Sequence, residues 1–92
     1  MKWVEVIQIR ATGCDKDLLK AELRKLVDEN DKIIREQMIK VYRRVLIDTD
    51  YKIEMIHETG NVEKSGSALG LRLVSGLKAF GLVNHSIWVE LK

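Results

Sequence analysis

Apolar and polar residues alternate along 2–10, with Trp3, Ile7 and Ile9 on one side and Val4 and Val6 on the other. Apolar groups on both faces predict a strand covered on both sides, hence one in the middle of a sheet. Residues 11–14 form a turn, and the period then changes. Leu19, Leu23, Leu26 and Val27 recur at helical spacing across 17–29. Thr12 or Asp15 is placed to cap this helix, Asp15 and Asp17 suit its positive end, and Asn30 is placed to close it. The next stretch carries both periods. Ile34, Met38, Val41 and Val45 are spaced as in a helix, whereas Ile39, Val41, Val45 and Ile47 alternate as in a strand. β-Branched residues dominate, so 39–47 is read as a strand and 31–37 as a loop. The competing reading is one helix over 17–45 followed by a small C-terminal sheet.

Asp48, Thr49 and Asp50 turn the chain into a second alternating run over 51–57. A connection rich in turn formers, 59–66, leads to a helix capped by Ser65 or Ser67 and ending near Phe80. Leu69, Leu73, Leu77 and Phe80 make its apolar face, and Gly81 is placed as its C′ residue. The final run, 85–91, sets Ile87, Val89 and Leu91 opposite Ser86, Trp88 and Glu90. The order β-α-β-β-α-β predicts an α+β, ferredoxin-like fold: a four-stranded antiparallel sheet in the order 4-1-3-2, with both helices on one face. The 92 residues suit a single domain over 1–92.

That topology divides the side chains between two faces. Ile39, Val41, Val45 and Ile47 and the set Ile87, Val89 and Leu91 are assigned to the helices. Of the third strand's two sets, Tyr51, Ile53, Met55 and His57 is the better partner for them. The uncovered face then receives Lys40, Tyr42, Arg44, Leu46, Trp88 and Glu90. Aromatic and aliphatic groups on an open sheet predict an interface, and a homodimer is the commonest solution. A small domain gains most from such burial, because alone it buries only about 60–65% of its unfolded surface.

Composition narrows the function more than it names it. Hydrophobic residues make up 46% and charged residues 33%, the balance of a folded chain. Sixteen basic against 14 acidic residues leave a net charge of +2, too small an excess for a dedicated nucleic-acid binder. No apolar stretch is long enough to span a bilayer, so no membrane role is expected. The N-terminus enters a strand pattern directly, without the pattern of a signal peptide. Cys14 is the sole cysteine, which rules out an internal disulfide. Cytoplasmic localisation is the expectation.

The run Ile39-Lys40-Val41-Tyr42-Arg43-Arg44-Val45-Leu46-Ile47, then Tyr51-Lys52-Ile53-Glu54-Met55-Ile56-His57-Glu58, a loop and a helix, resembles the central hairpin of dimeric α/β-barrel proteins. That superfamily includes the antibiotic-biosynthesis monooxygenase-like domains. The resemblance covers most of the chain in pattern rather than in identities. It implies two ferredoxin-like subunits joined through their sheets, with a cavity between sheet and helices in each. Such domains often carry a Trp near the end of the third strand, where this chain has His57-Glu58, and no catalytic residue carries across.

Candidate chemistry is sparse. His57 and His85 are the only histidines, and no H-x-x-x-H or C-x-x-C spacing supports a metal, so none is expected. His57 reads first as a satisfied strand-end histidine and only second as a candidate general base; adjacent Glu58 points to the other face. His85, beside a turn, reads as a capping or surface residue. Cys14 precedes a helix, which favours a thiolate, but no base accompanies it in the sequence. Lys64, Ser65, Gly66 and Ser67 open the second helix and could cradle an anion, although plain capping accounts for the same residues. Gly66, Gly70 and Gly76 suit close packing of that helix. Tyr42, Arg44, Glu54 and Trp88 could line a small-molecule pocket, with Tyr42, His57 and Arg44 as the candidate catalytic set. The reading is a homodimeric interaction or small-ligand-binding module without a cofactor. The alternative is a cofactor-free monooxygenase or isomerase acting on a small aromatic or polyketide-like substrate.

Overall fold

The computed structural model of the chain describes residues 2–13, 15–32 and 37–91. The elements follow the predicted order: β1 (Lys2–Ala11), α1 (Lys16–Lys32), β2 (Gln37–Arg43), β3 (Asp50–Glu58), α2 (Ala68–Leu77) and β4 (Gly81–Val89). All three strand pairings are antiparallel, and the spatial order β2-β3-β1-β4 matches the ferredoxin-like expectation. The long-helix alternative is excluded, because 37–43 is a strand paired to β3. Cys14 and Ile34, with most of the expected 31–37 loop, lie outside the described residues.

β1 is central and its odd-numbered residues face the helices. Trp3, Ile7, Ile9 and Ala11 are buried there beside Tyr51, Ile53 and Met55 of β3, with Leu19 and Leu23 of α1 and Leu77 of α2 above them. This is the set of β3 residues expected to meet the helices. The periodicities of two and 3.6 thus meet at one interface, which is what makes the local pattern cooperative.

Several boundaries differ from the sequence reading. β2 stops at Arg43 rather than reaching Ile47. Residues 44–49 leave the ladder as a loop in which Leu46 is left-handed at φ 67° and fully exposed, and Val45 is 80% exposed. Val45 and Ile47 therefore miss the covered face to which alternation assigned them. Register explains the difference: Arg43 pairs with Tyr51 and the Arg44 amide still donates to the Asp50 carbonyl at 3.0 Å, so the chain must reverse over 45–49 and no strand can reach Ile47. α1 continues past Asn30, since no Gly or Pro interrupts 15–32. α2 ends at the C-cap Lys78, and Gly81 is the first residue of β4 rather than a C′ glycine. It lies so close to the Arg10 carbonyl that a Cβ would collide with backbone. β4 therefore starts four residues earlier than alternation suggested and ends at Val89, leaving Glu90 and Leu91 beyond it.

Candidate functional site

Glu5 carries the most unusual environment in the molecule. It shares the parity of Trp3, Ile7 and Ile9 and is fully buried beneath the start of α2. An ionised carboxylate accepts hydrogen bonds only, and four donors converge on this one. Oε1 accepts from Ser67 Oγ at 2.7 Å and from His57 Nε2 at 2.9 Å. Oε2 accepts from His85 Nε2 at 2.6 Å and from the Ser67 amide at 3.1 Å. Burial pushes the Glu5 carboxyl up, but the bonds from Ser67, His85 and His57 outweigh it and hold the group below its ordinary 4.5. An ionised Glu5, which can only accept, places a proton on Nε2 of both imidazoles. Direct N–O separations of 2.6 and 2.9 Å leave no room for an ion between rings and carboxylate.

The surroundings lock this node. Ser67 is the N-cap of α2, and its Oγ also accepts from the Gly70 amide at 3.0 Å, so the helix end and the carboxylate share one hydroxyl. Gly66 takes φ +104°, a conformation that favours glycine, and both Gly66 and Gly70 lie where a Cβ would strike Glu5. Gly76, by contrast, faces open space. His57 stacks on Trp3 with ring centroids 4.1 Å apart, and Trp3 Nε1 donates to Thr59 Oγ1 at 2.8 Å. The positive end of α2 thus holds an anion supplied by the chain itself. Of the sequence-proposed cradle, Ser67 binds Glu5 directly, buried Gly66 makes room for it, and Lys64 and Ser65 are exposed.

The other sequence candidates are scattered over the open face. Register aligns Met38, Ile56, Val4 and Trp88 in one row across all four strands. The next row is Lys40, Glu54, Val6 and Ser86, and the one after it Tyr42, Lys52, Gln8 and Asn84. Trp88 and Tyr42 therefore stand at opposite edges, two rows apart, with Glu54 between them in register. His57 faces the helices, five residues along β3 from Tyr42's partner Lys52, a run of roughly 16 Å. Tyr42 and His57 consequently face different surroundings. Arg44 follows β2 and binds Asp50 at 3.0 Å, as does Arg10. Their hydrogen bonds, Arg10's foremost, hold Asp50 down at about 2.

An open concavity of about 540 Å³ lies at this Arg-rich end of the sheet, lined by Arg10, Tyr42, Arg43, Arg44 and Leu82 among others. A smaller one of about 270 Å³ lies between the helices over Ile53, with Leu26, Leu73 and Phe80 in its walls. Among the described residues, no helix is long and apolar enough to cross a membrane. Sequence reasoning passed over Glu5 because a lone glutamate in a strand is usually solvated. The available signal was parity: an acid inside an otherwise apolar face of a central strand.

No protein-family model matches the chain, and no curated protein is similar to it. In fold it is similar to the crystal structure of SnoaB, a cofactor-independent oxygenase from Streptomyces nogalater. The two share 11% identity at a TM-score of 0.59, over 99% of this chain and 94% of that one. At this identity the likeness is one of fold.

Proposed function

We propose that residues 1–92 form one cytoplasmic domain that works as a homodimeric interaction or small-ligand-binding module, its two copies meeting through their open sheet faces. The observation carrying this reading is the apolar row Met38, Ile56, Val4 and Trp88. Met38 and Trp88 are 49% and 59% exposed, and a partly exposed apolar row flanked by Lys40 and Glu54 on one side and by Lys2 and Glu58 on the other has the composition of an interface centre and its rim. Sedimentation equilibrium at micromolar concentration tests it. The expected result is a dimer that Trp88→Glu converts to monomer without loss of secondary structure. A wild-type chain that stays monomeric there sinks the proposal.

A second reading, cofactor-free oxygenase or isomerase chemistry on aromatic or polyketide-like substrates, draws on the Glu5 node. A carboxylate that orients an imidazole leaves its second nitrogen available as a base, and His85 is the less buried of the two rings. Oxygen uptake and product formation with a panel of aromatic phenols test it. Turnover lost in both His57→Ala and His85→Gln supports the chemistry, and the absence of turnover across the panel ends it.

A further inference from the structure

Tyr51 lies at the start of β3 with its ring facing the helices. It is 6% exposed, and its hydroxyl is fully buried without a hydrogen-bond partner among the described residues. Buried polar groups in folded proteins are almost always paired, so an orphan hydroxyl asks what completes it. Tyr51 lines a cleft of about 490 Å³ between α1 and the edge strand β2. Leu23, buried, and Val41, half-buried, supply apolar lining. Lys20 and Arg24 stand one turn apart on α1, and Arg43 ends β2. None of these three cations has an ion-pair partner among the described residues, and Asp28 is the single acid in the lining.

We infer that this cleft binds a small amphipathic carboxylic acid, its hydrocarbon or aromatic body lying on Leu23, Val41 and the Tyr51 ring and its carboxylate held by Arg24, Arg43 and, as the lining opens around the ligand, the Tyr51 hydroxyl. Charge selects the head group: three unpaired cations against one acid favour an anion, and a guanidinium matches a carboxylate in two parallel hydrogen bonds. The apolar lining selects the body. A carboxylate reaching the Tyr51 hydroxyl also supplies the partner that the described residues do not. The site lies at the edge of the sheet and mainly on its covered side, so it stands or falls independently of self-association through the open face.

The probe is 2-naphthoate, compared with neutral 2-naphthalenemethanol by isothermal titration calorimetry, with amide chemical shifts to locate binding. The expected result is naphthoate binding at least about ten-fold tighter than the alcohol, a difference set by the charged head group. Shifts should centre on residues 20–28 and 41–43. Arg24→Gln combined with Arg43→Gln should weaken naphthoate by about ten-fold or more while leaving the alcohol unchanged. Tyr51→Phe should weaken it several-fold with no fall in melting temperature, since it removes a buried hydroxyl that has no partner among the described residues. Should Tyr51→Phe fail to fold, the arginine double variant decides. The proposal is overturned if naphthoate shows no binding up to millimolar concentration, if the alcohol binds as well as the acid, if the arginine variant binds naphthoate unchanged, or if the shifts centre on the open face around Gln8 and Asn84. Sedimentation of the same samples reports the oligomeric state separately.

Discussion

Glu5 and Asp50 stand five register positions apart along the β1–β3 ladder, one facing the helices and the other the open side, and each carboxylate is gripped by three side chains. His57, His85 and Ser67 hold Glu5; Arg10, Arg44 and Thr49 hold Asp50. Both acids are pulled below their ordinary values, yet by different balances. At Glu5 the hydrogen bonds must overcome burial, the largest single influence on it, and every donor is aimed from an element that the fold has fixed. At Asp50 the Arg10 contact leads, and the arginine side chains remain half in water. A fixed network out of water specifies a unique arrangement, whereas mobile partners in water mostly tune a surface. The molecule therefore uses similar chemistry twice, once to lock α2 onto the sheet and once to tie a loop.

The sharpest way to break this contrast is Glu5→Ala. It leaves the Ser67 hydroxyl and amide and the His57 ring without their acceptor, and a loss of about 3–5 kcal/mol in urea unfolding is expected. A loss as small as that of an ordinary surface substitution would mean the node is not a unit. Gly70→Ala comes next and tests the geometry rather than the charge. In an exposed helix interior this change is favourable by about 1 kcal/mol, but here the added methyl meets the Glu5 carboxylate. Overpacking should win, with a net loss of about 1–3 kcal/mol. Wild-type stability or better would show that the helix end can shift away.

Asp50→Asn should have the smallest effect and the greatest sensitivity to salt, because its partners are screened by mobile ions and those of Glu5 are not. Unfolding measured at low salt and in 1 M NaCl should show its effect shrinking while that of Glu5→Ala persists. Acid titration separates the two further. A lowered carboxyl stabilises the fold above its ordinary value, and that contribution is lost as pH falls through the folded one. For Asp50 the window runs from 3.8 down to about 2. For Glu5 the loss begins below 4.5. Stability measured from pH 6 downward should fall through both ranges, and Asp50→Asn should flatten only the lower part. An unchanged profile in that variant would remove Asp50 from the account.

How far these features could be read in advance depends on how local their causes are. Periods of two and 3.6 are properties of neighbouring residues, so the element order, the 4-1-3-2 sheet and the inward set Tyr51, Ile53, Met55 and His57 were all visible in the chain. The end of β2 was not. Val45 and Ile47 alternate like a strand, but β2 and β3 pair in the register Arg43 to Tyr51, which puts the reversal of the chain at 45–49, and that register is a contact between strands rather than a local pattern. Gly81 looked like a helix terminator because the sequence does not reveal that Arg10's carbonyl lies against it.

The sequence by itself determined which residues alternate, where helices begin and which apolar groups seek a common face, because hydrophobic periodicity is written in adjacent positions. Only the tertiary structure decided that Glu5 would be an anchor. Its partners lie 52, 62 and 80 positions away, on β3, at the cap of α2 and on β4. A carboxylate's protonation state and bonding depend on what surrounds it in space, and three elements must pack before that surrounding exists. The same holds for Tyr51, whose hydroxyl became an orphan only when α1 and the sheet closed around it.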